Sequence, residues 1–123
     1  MEMYHLWDFD LTLGNCGYFW DGVGNGPENF WIKLDKWFPH LFEDPAFVQK
    51  VQNRWNELMP EFSKIPDFID EQAQERNFKV WSIWDSVDWV YFPSLGSYEK
   101  EVEYLKEFYT ERLQWLDREL NNL

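Results

Sequence analysis

The chain has 123 residues, a formal net charge of −12 at pH 7 and an aromatic share of 21%. This length suits one domain with a single core. The negative charge would repel the phosphates of nucleic acids and of anionic lipids, so neither is expected as a partner. No apolar run approaches the roughly 18 residues needed to span a bilayer. Cys16 is the single cysteine and excludes an internal disulfide.

The first element in the chain is a short strand-like run over residues 4–10, which ends in two acids, Asp8 and Asp10. Residues two apart on an extended segment point to the same face, so these two carboxylates can share one hard cation. The more ordinary role of such residues is turn or cap chemistry at the end of a strand. Asp8 and Asp10 are the candidate metal ligands of the chain.

A glycine-rich segment follows this run and is closed by Pro27. Its glycine density predicts a loop. The stretch over residues 22–26 lacks the Lys-Ser/Thr of a Walker motif and the spacing of a dinucleotide-binding loop. A plain loop is therefore predicted rather than a phosphate cradle.

Helical signals begin at Pro27, which suits the first turn of a short helix that Pro39 is expected to stop. Asp44 is the predicted cap of a second helix, with a proline in its first turn, and Pro60 is expected to end or kink it. The apolar stripe of this second helix is Phe47, Val51, Trp55, Leu58 and Phe62.

Two further helices are predicted. One starts at residues 65–67 and carries Arg76, which needs a carboxylate partner such as Asp70 or Glu57 if it faces the interior. Ser97 is the predicted cap of the last helix, which has acids in its first turn. The apolar stripe of the last helix is Val102, Leu105, Tyr109, Leu113, Leu116 and Leu120.

The predicted fold class is mainly α, within a single domain over residues 1–123. A short N-terminal strand and the glycine-rich loop occupy residues 1–26, and a three- to four-helix bundle occupies residues 27–123. The predicted helices leave little room for a sheet beyond the first strand.

Residues 8–13, Asp-Phe-Asp-Leu-Thr-Leu, resemble the DxDxTL motif of the haloacid dehalogenase-like phosphatases. That resemblance implies a nucleophilic Asp8, an acid/base Asp10 and a bound Mg²⁺. The phosphatase fold, however, alternates strands and helices around a parallel sheet, and the helical periodicity downstream does not supply one. This family ranks second.

A second resemblance covers nearly the whole chain. Residues 7–15 are similar to the WDxDLxxGN element of the spore-coat CotH kinase family, and residues 47–58 are similar to its F-x3-V-x2-R-W-x-E-L helix. Residues 69–81 follow in family order. Residues 97–117 resemble the family's terminal SYExEVxYLKxxxxxRLxWLD helix. Four blocks in the right order are more specific than one DxD.

The resemblance implies an atypical protein kinase-like fold, of which this chain is the final part of the C-terminal lobe. In the family the WDxD element acts like the kinase DFG aspartate and holds Mg²⁺ or Mn²⁺ against the phosphates of ATP. That role falls to Asp8, with Asp10 as a secondary ligand or a structural group. The remaining conspicuous residues are expected to form a buried guanidinium–carboxylate network; they are Arg54, Trp55, Asp70, Arg76 and Asn77.

The family's nucleotide-binding lysine and catalytic acid precede the WDxD element, and only six residues of this sequence lie there. The chain is therefore expected to be a fragment, with no catalytic residue of its own, inactive alone and weak in metal binding. Its expected partners are an N-terminal kinase region in cis and a protein substrate of the parent. The resemblance also suggests a bacterial protein that is secreted or lies on the cell surface or spore coat.

The aromatic surplus supports a third, non-enzymatic alternative. Trp20, Trp89, Tyr91 and Phe92 fall in segments predicted to be irregular, where exposed rings serve as platforms for sugars or peptides. An aromatic surface normally covered by a missing lobe would explain the same composition.

Overall fold

The computed structural model describes residues 13–14, 26–34, 36–69, 79 and 95–123. This part of the chain is mainly helical and confirms the predicted fold class, with three α-helices and two short 3-10 helices. Its elements are a 3-10 helix at Trp31–Leu34, α1 at Phe38–Phe42, α2 at Pro45–Phe62, a second 3-10 helix at Ile65–Phe68, and α3 at Tyr98–Asn121. The division into one domain stays a prediction.

Several predictions lie outside the described residues. These are the N-terminal strand with Asp8 and Asp10, the glycine-rich loop over residues 15–25, the residues Asp70, Arg76 and Asn77, and the aromatic positions Trp20, Trp89, Tyr91 and Phe92. The prediction that a long helix starts at residues 65–67 is wrong, because a 3-10 helix there ends at Phe68 and Ile69 has an extended backbone.

The prediction of one helix from Pro27 to Pro39 is wrong. The structure has a 3-10 turn at Trp31–Leu34 and then α1, in which Pro39 lies in the first turn. Between them, Lys36 adopts a left-handed backbone with φ of 47°, which interrupts a right-handed helix. Proline is well tolerated at a helix start because the N–H it lacks would have no partner there.

Helix α2 begins as predicted. The Asp44 side chain accepts a hydrogen bond from the Ala46 amide at 2.9 Å, and Pro45 occupies the first turn. The helix continues two residues beyond Pro60, and its end is closed by the Ser63 hydroxyl, which donates to the Met59 carbonyl at 2.7 Å. Pro60 lacks the N–H that would bond to the carbonyl of Asn56, and because it lies in the last turn only two helical residues follow it.

Helix α3 carries the buried core of the described residues. Ser97 caps it as predicted by accepting from the Lys100 amide at 3.3 Å, with Glu99 in the first turn. The buried side chains of α3 are Tyr98, Val102, Leu113 and Leu120, of which the last three belong to the predicted stripe. The remaining stripe positions are half-buried.

Helices α2 and α3 pack antiparallel, because partners later in α2 lie earlier in α3. Gln52 Nε2 donates to the Leu120 carbonyl at 3.0 Å, and Trp55 Nε1 donates to Asp117 Oδ1 at 2.8 Å. Just beyond these, the Tyr109 hydroxyl donates to the carbonyl of Phe62 at 3.1 Å. Side-chain hydrogen bonds therefore follow the seam along most of its length.

Edge-to-face contacts between aromatic rings join α1 to the segment before it and to the start of α2. The Phe42 ring meets Phe30 edge-on at a centroid distance of 5.7 Å and Phe47 at 5.3 Å. Such edge-to-face pairs contribute about 0.5–1.5 kcal/mol beyond their buried area. The segment before α1 is thus joined to the start of α2 through one ring. None of the helices in the described ranges is long and apolar enough to cross a membrane.

Candidate functional site

The predicted metal ligands Asp8 and Asp10 lie outside the described residues, so the structure does not test that site. The described residues that follow them most closely along the chain are Leu13 and Gly14, which end the WDxDLxxG stretch. These two residues form a turn that packs against α3. This contact is the part of the candidate site that the structure describes.

Both residues of this turn have a left-handed backbone. The φ of Leu13 is 53° and that of Gly14 is 83°. Glycine accepts this conformation freely, whereas leucine adopts it at a cost of about 1–2 kcal/mol. Such a turn persists where its surroundings hold it in place.

Helix α3 supplies those surroundings. The Tyr104 hydroxyl donates a hydrogen bond to the Gly14 carbonyl at 3.2 Å, and Gly14 is buried. A Cβ placed on Gly14 would collide with the Tyr104 hydroxyl and would lie 2.7 Å and 2.9 Å from two carbons of the Phe108 ring. The turn thus fits against α3 so closely that only glycine is accommodated.

A second anchor lies two turns further along α3. Arg112 Nη1 donates to the carbonyls of Pro27 at 2.9 Å and Asn29 at 2.6 Å, while its guanidinium lies 5.1 Å from the centre of the Trp115 ring. Burial lowers the pKa of Arg112 from its ordinary value. Tyr104 and Arg112 are separated by about 12 Å along the helix axis, from a rise of about 1.5 Å per residue. One helix therefore holds chain segments on both sides of residues 15–25.

The expected buried network around Arg54 is wrong for that residue. Arg54 pairs with Glu57 of its own helix at 2.8 Å, and the two side chains are 62% and 66% exposed. An exposed pair of this kind contributes little to stability. Trp55, by contrast, does join two helices through its bond to Asp117.

A shallow open groove of about 340 Å³ lies between α2 and the end of α3. Its floor is apolar and its charged lining residues, Lys50 and Arg54, are cationic, which does not suit a metal ion. Within the ranges that the structure describes, no three His, Cys, Asp or Glu side chains converge to hold a metal.

Sequence reasoning did not identify Tyr104, Phe108 and Arg112 as holders of the N-terminal segments. Tyr104 and Arg112 belong to the terminal block of the resemblance, which was the available signal. Their partners lie 90 residues away for Tyr104 and 85 and 83 residues away for Arg112, so no local pattern indicates them.

A family model described as CotH kinase protein matches residues 3–116. The match spans most of the chain, and the chain belongs to this family. No curated protein and no solved structure matches the chain significantly.

Proposed function

We propose that this chain supplies the metal-binding aspartate and the helical scaffold of a CotH kinase that transfers phosphate from ATP to protein hydroxyls. Asp8 is the ligand that holds Mg²⁺ or Mn²⁺ against the ATP phosphates, and Asp10 is a secondary ligand. Phosphoryl transfer depends on positioning and on neutralising charge, so a carboxylate that fixes the metal has a central role.

The family match supports this proposal because residues 3–116 include the WDxD element together with the terminal helix. The packing of the described blocks agrees with it. Gly14 of the first block contacts Tyr104 of the last, and Trp55 of the second block bonds to Asp117 of the last. The blocks that resemble the family are thus neighbours in space as well as ordered along the chain.

The same proposal assigns no phosphate transfer to the chain alone. In the family the nucleotide-binding lysine and the catalytic acid lie before the WDxD element, and this sequence holds neither there. An aspartate that binds metal cannot by itself cover the nucleotide or orient a hydroxyl group. Mg²⁺ also relies on substrate phosphates and water for much of its coordination, so its affinity for the isolated chain should be weak.

The phosphatase alternative depends on six residues, 8–13, all of which lie inside the family match. The aromatic binding module depends on rings outside the described residues. The family match therefore favours the kinase function over the phosphatase and the aromatic binding module.

Mn²⁺ binding by the 123-residue chain tests the metal role. A titration followed by electron paramagnetic resonance, in the presence of ATP, should show binding that Asp8→Asn weakens by at least about tenfold, equal to 1.4 kcal/mol. Asp67→Asn is the matched control, since it removes an exposed carboxylate at the start of a 3-10 turn. Equal affinities for wild type and Asp8→Asn would refute the assignment of Asp8.

A phosphotransfer assay tests the rest. The chain alone should transfer no label from ATP to protein, with or without Mn²⁺. A polypeptide extended upstream to include the lysine and the catalytic acid should be active, and Asp8→Asn should lower its rate at least about 100-fold, since a catalytic metal supplies several kcal/mol. Activity of the 123-residue chain by itself would contradict the proposed division of roles.

A further inference from the structure

We propose that Tyr104 and Phe108 of α3 are positioning residues for the metal-binding element, acting through the turn at Leu13 and Gly14. This inference rests on the proposed function, because it assigns to α3 the task of holding the element that carries Asp8. Neither residue touches the metal in this proposal.

The first support is the fit between the turn and the helix. The Tyr104 hydroxyl holds the Gly14 carbonyl at 3.2 Å, and the Phe108 ring closes the space where a side chain would extend. The two rings also lie close to each other, at a centroid distance of 6.2 Å. A hydrogen bond and a steric wall act on the same residue, so both the distance and the orientation of the turn are set by α3.

The second support is the backbone of the turn. Leu13 and Gly14 are consecutive residues with positive φ, at 53° and 83°. A non-glycine residue in this region needs external restraint. The restraint visible at the turn comes from α3, a helix of 24 residues with its buried side chains spread from Tyr98 to Leu120. The turn is thus mounted on the most firmly packed element of the described part of the chain.

The third support is chain connectivity. Asp10 precedes Gly14 by four residues, so covalent geometry keeps their Cα atoms within about 14 Å of each other. In this proposal a displacement of the turn also displaces the carboxylates, because only three residues separate Asp10 from Gly14. Metal sites lose affinity when their supporting groups no longer hold the ligands in place. Removing the contacts between the turn and α3 should accordingly weaken metal binding without removing any metal ligand.

Tyr104→Phe is the central test, and α3 offers a matched control. Tyr109→Phe also removes one hydroxyl that donates to a backbone carbonyl, in that case Phe62 at 3.1 Å. Both variants should lower thermal stability by similar amounts. Mn²⁺ affinity in the presence of ATP should fall about fivefold in Tyr104→Phe, from the net strength of one hydrogen bond, and should stay unchanged in Tyr109→Phe.

A second measurement needs no metal. In ¹H–¹⁵N spectra of the metal-free chain, Tyr104→Phe and Phe108→Ala should shift the amide resonances of Asp8, Asp10 and Gly14. Tyr109→Phe should leave those three resonances in place. This readout separates a positioning role from a general loss of stability, because the control variant loses a comparable bond elsewhere on the helix.

The outcomes distinguish the two proposals. Equal Mn²⁺ affinities for the two tyrosine variants, with Asp8→Asn still defective, would overturn the positioning role and leave the proposed function standing. The Asp8 and Asp10 amide resonances could shift in the variants although the wild type binds no Mn²⁺. This result would support the contact between the turn and α3 and would refute metal binding by Asp8. If the amide resonances of Asp8, Asp10 and Gly14 do not shift in Tyr104→Phe, the proposed contact between the turn and α3 would be refuted.

Discussion

Helices α2 and α3 both carry an apolar stripe at helical spacing, yet they hold their surroundings differently. Of the eighteen residues of α2 none is buried, whereas α3 buries side chains near its start, middle and end. Helix α3 also bonds to chain segments far away in sequence through Tyr104, Tyr109 and Arg112. Of the charged groups of α2, Arg54 pairs with Glu57 within the helix, and Glu61 pairs with Lys64 just beyond its end.

The difference shows that hydrophobic periodicity alone does not reveal which of two helices contributes more to stability. An apolar stripe indicates which face of a helix packs against the rest of the protein. The number of residues that contact that face, and their distances from it, decide how much the face contributes to stability. In this protein α3 is the element on which other segments are mounted, and α2 is one of those segments. Substitutions at equivalent positions of the two helices should therefore have unequal effects.

The largest difference is expected between Leu113→Ala and Leu58→Ala. Leu113 of α3 is 8% exposed, whereas Leu58 of α2 is half-buried and lines an open groove. Leu113→Ala should lower the free energy of unfolding by about 3 kcal/mol and Leu58→Ala by about 1 kcal/mol. Urea denaturation followed by tryptophan fluorescence measures both. Equal losses would remove the distinction between the helices.

A glycine series measures how closely the turn fits α3. Gly14→Ala should cost about 2 kcal/mol, since it adds both a left-handed strain and a collision with Tyr104 and Phe108. Gly96→Ala has a φ of 87° but nothing within 4 Å of the added carbon, so it should cost only about 1 kcal/mol. Gly26→Ala meets neither obstacle and should be near neutral. Thermal unfolding that ranks Gly96→Ala at or above Gly14→Ala would contradict the close fit.

Two arginines allow a similar comparison. Arg112→Met leaves the carbonyls of Pro27 and Asn29 without their donor and should cost about 1.5 kcal/mol. Arg54→Met removes an exposed pair on α2 and should change stability by about 0.3 kcal/mol. Chemical denaturation of both variants provides the measurement. A loss in Arg54→Met as large as that in Arg112→Met would show that Arg54 has a role that its exposure conceals.

Alkaline pH should weaken the contacts of α3 selectively. Desolvation raises the pKa of Tyr104, assisted by the nearby charges of Glu101 and Glu111, and desolvation also raises the pKa of Tyr109. A raised folded-state pKa means that the neutral phenol contributes stability below about pH 10, the unfolded value. That contribution is lost as the pH rises through the folded-state pKa. Stability measured between about pH 8 and 11 should fall less steeply in the double variant Tyr104→Phe/Tyr109→Phe than in the wild type.

The smallest expected effect concerns the first turns of the two helices. The pKa of Glu99 in α3 is lowered by its hydrogen bonds to its own backbone amide and to Ser97, with a minor contribution from Lys79. A lowered folded-state pKa contributes stability above the unfolded value of Glu, and this is lost as the pH falls through the folded-state pKa. Helix α2 has no acid in its first turn. Glu99→Gln should slightly flatten the acid side of the stability profile; an unchanged profile would show that the exposed carboxylate contributes nothing.

Much of the helical architecture was predictable from local sequence. The caps Asp44 and Ser97 were identified correctly because a cap bonds to an amide two or three residues away. The stripe of α3 was identified correctly because its spacing repeats over about five turns, from Val102 to Leu120. Pro39 was misjudged because the same residue suits the end of one helix and the start of another, and the backbone at Lys36 decides between them.

The amino-acid sequence by itself determined the helix starts, the apolar faces and the membership of the CotH kinase family, because these depend on neighbouring residues and on ordered motifs. Tertiary structure alone decided that Gly14 rests against Tyr104 and Phe108, that Arg112 serves two carbonyls, and that Arg54 faces solvent. The first two outcomes depend on which segments meet after 80 or more residues of intervening chain, as the separation of 90 between Gly14 and Tyr104 illustrates. Pairing over such distances is set by packing as a whole, and no local pattern encodes it.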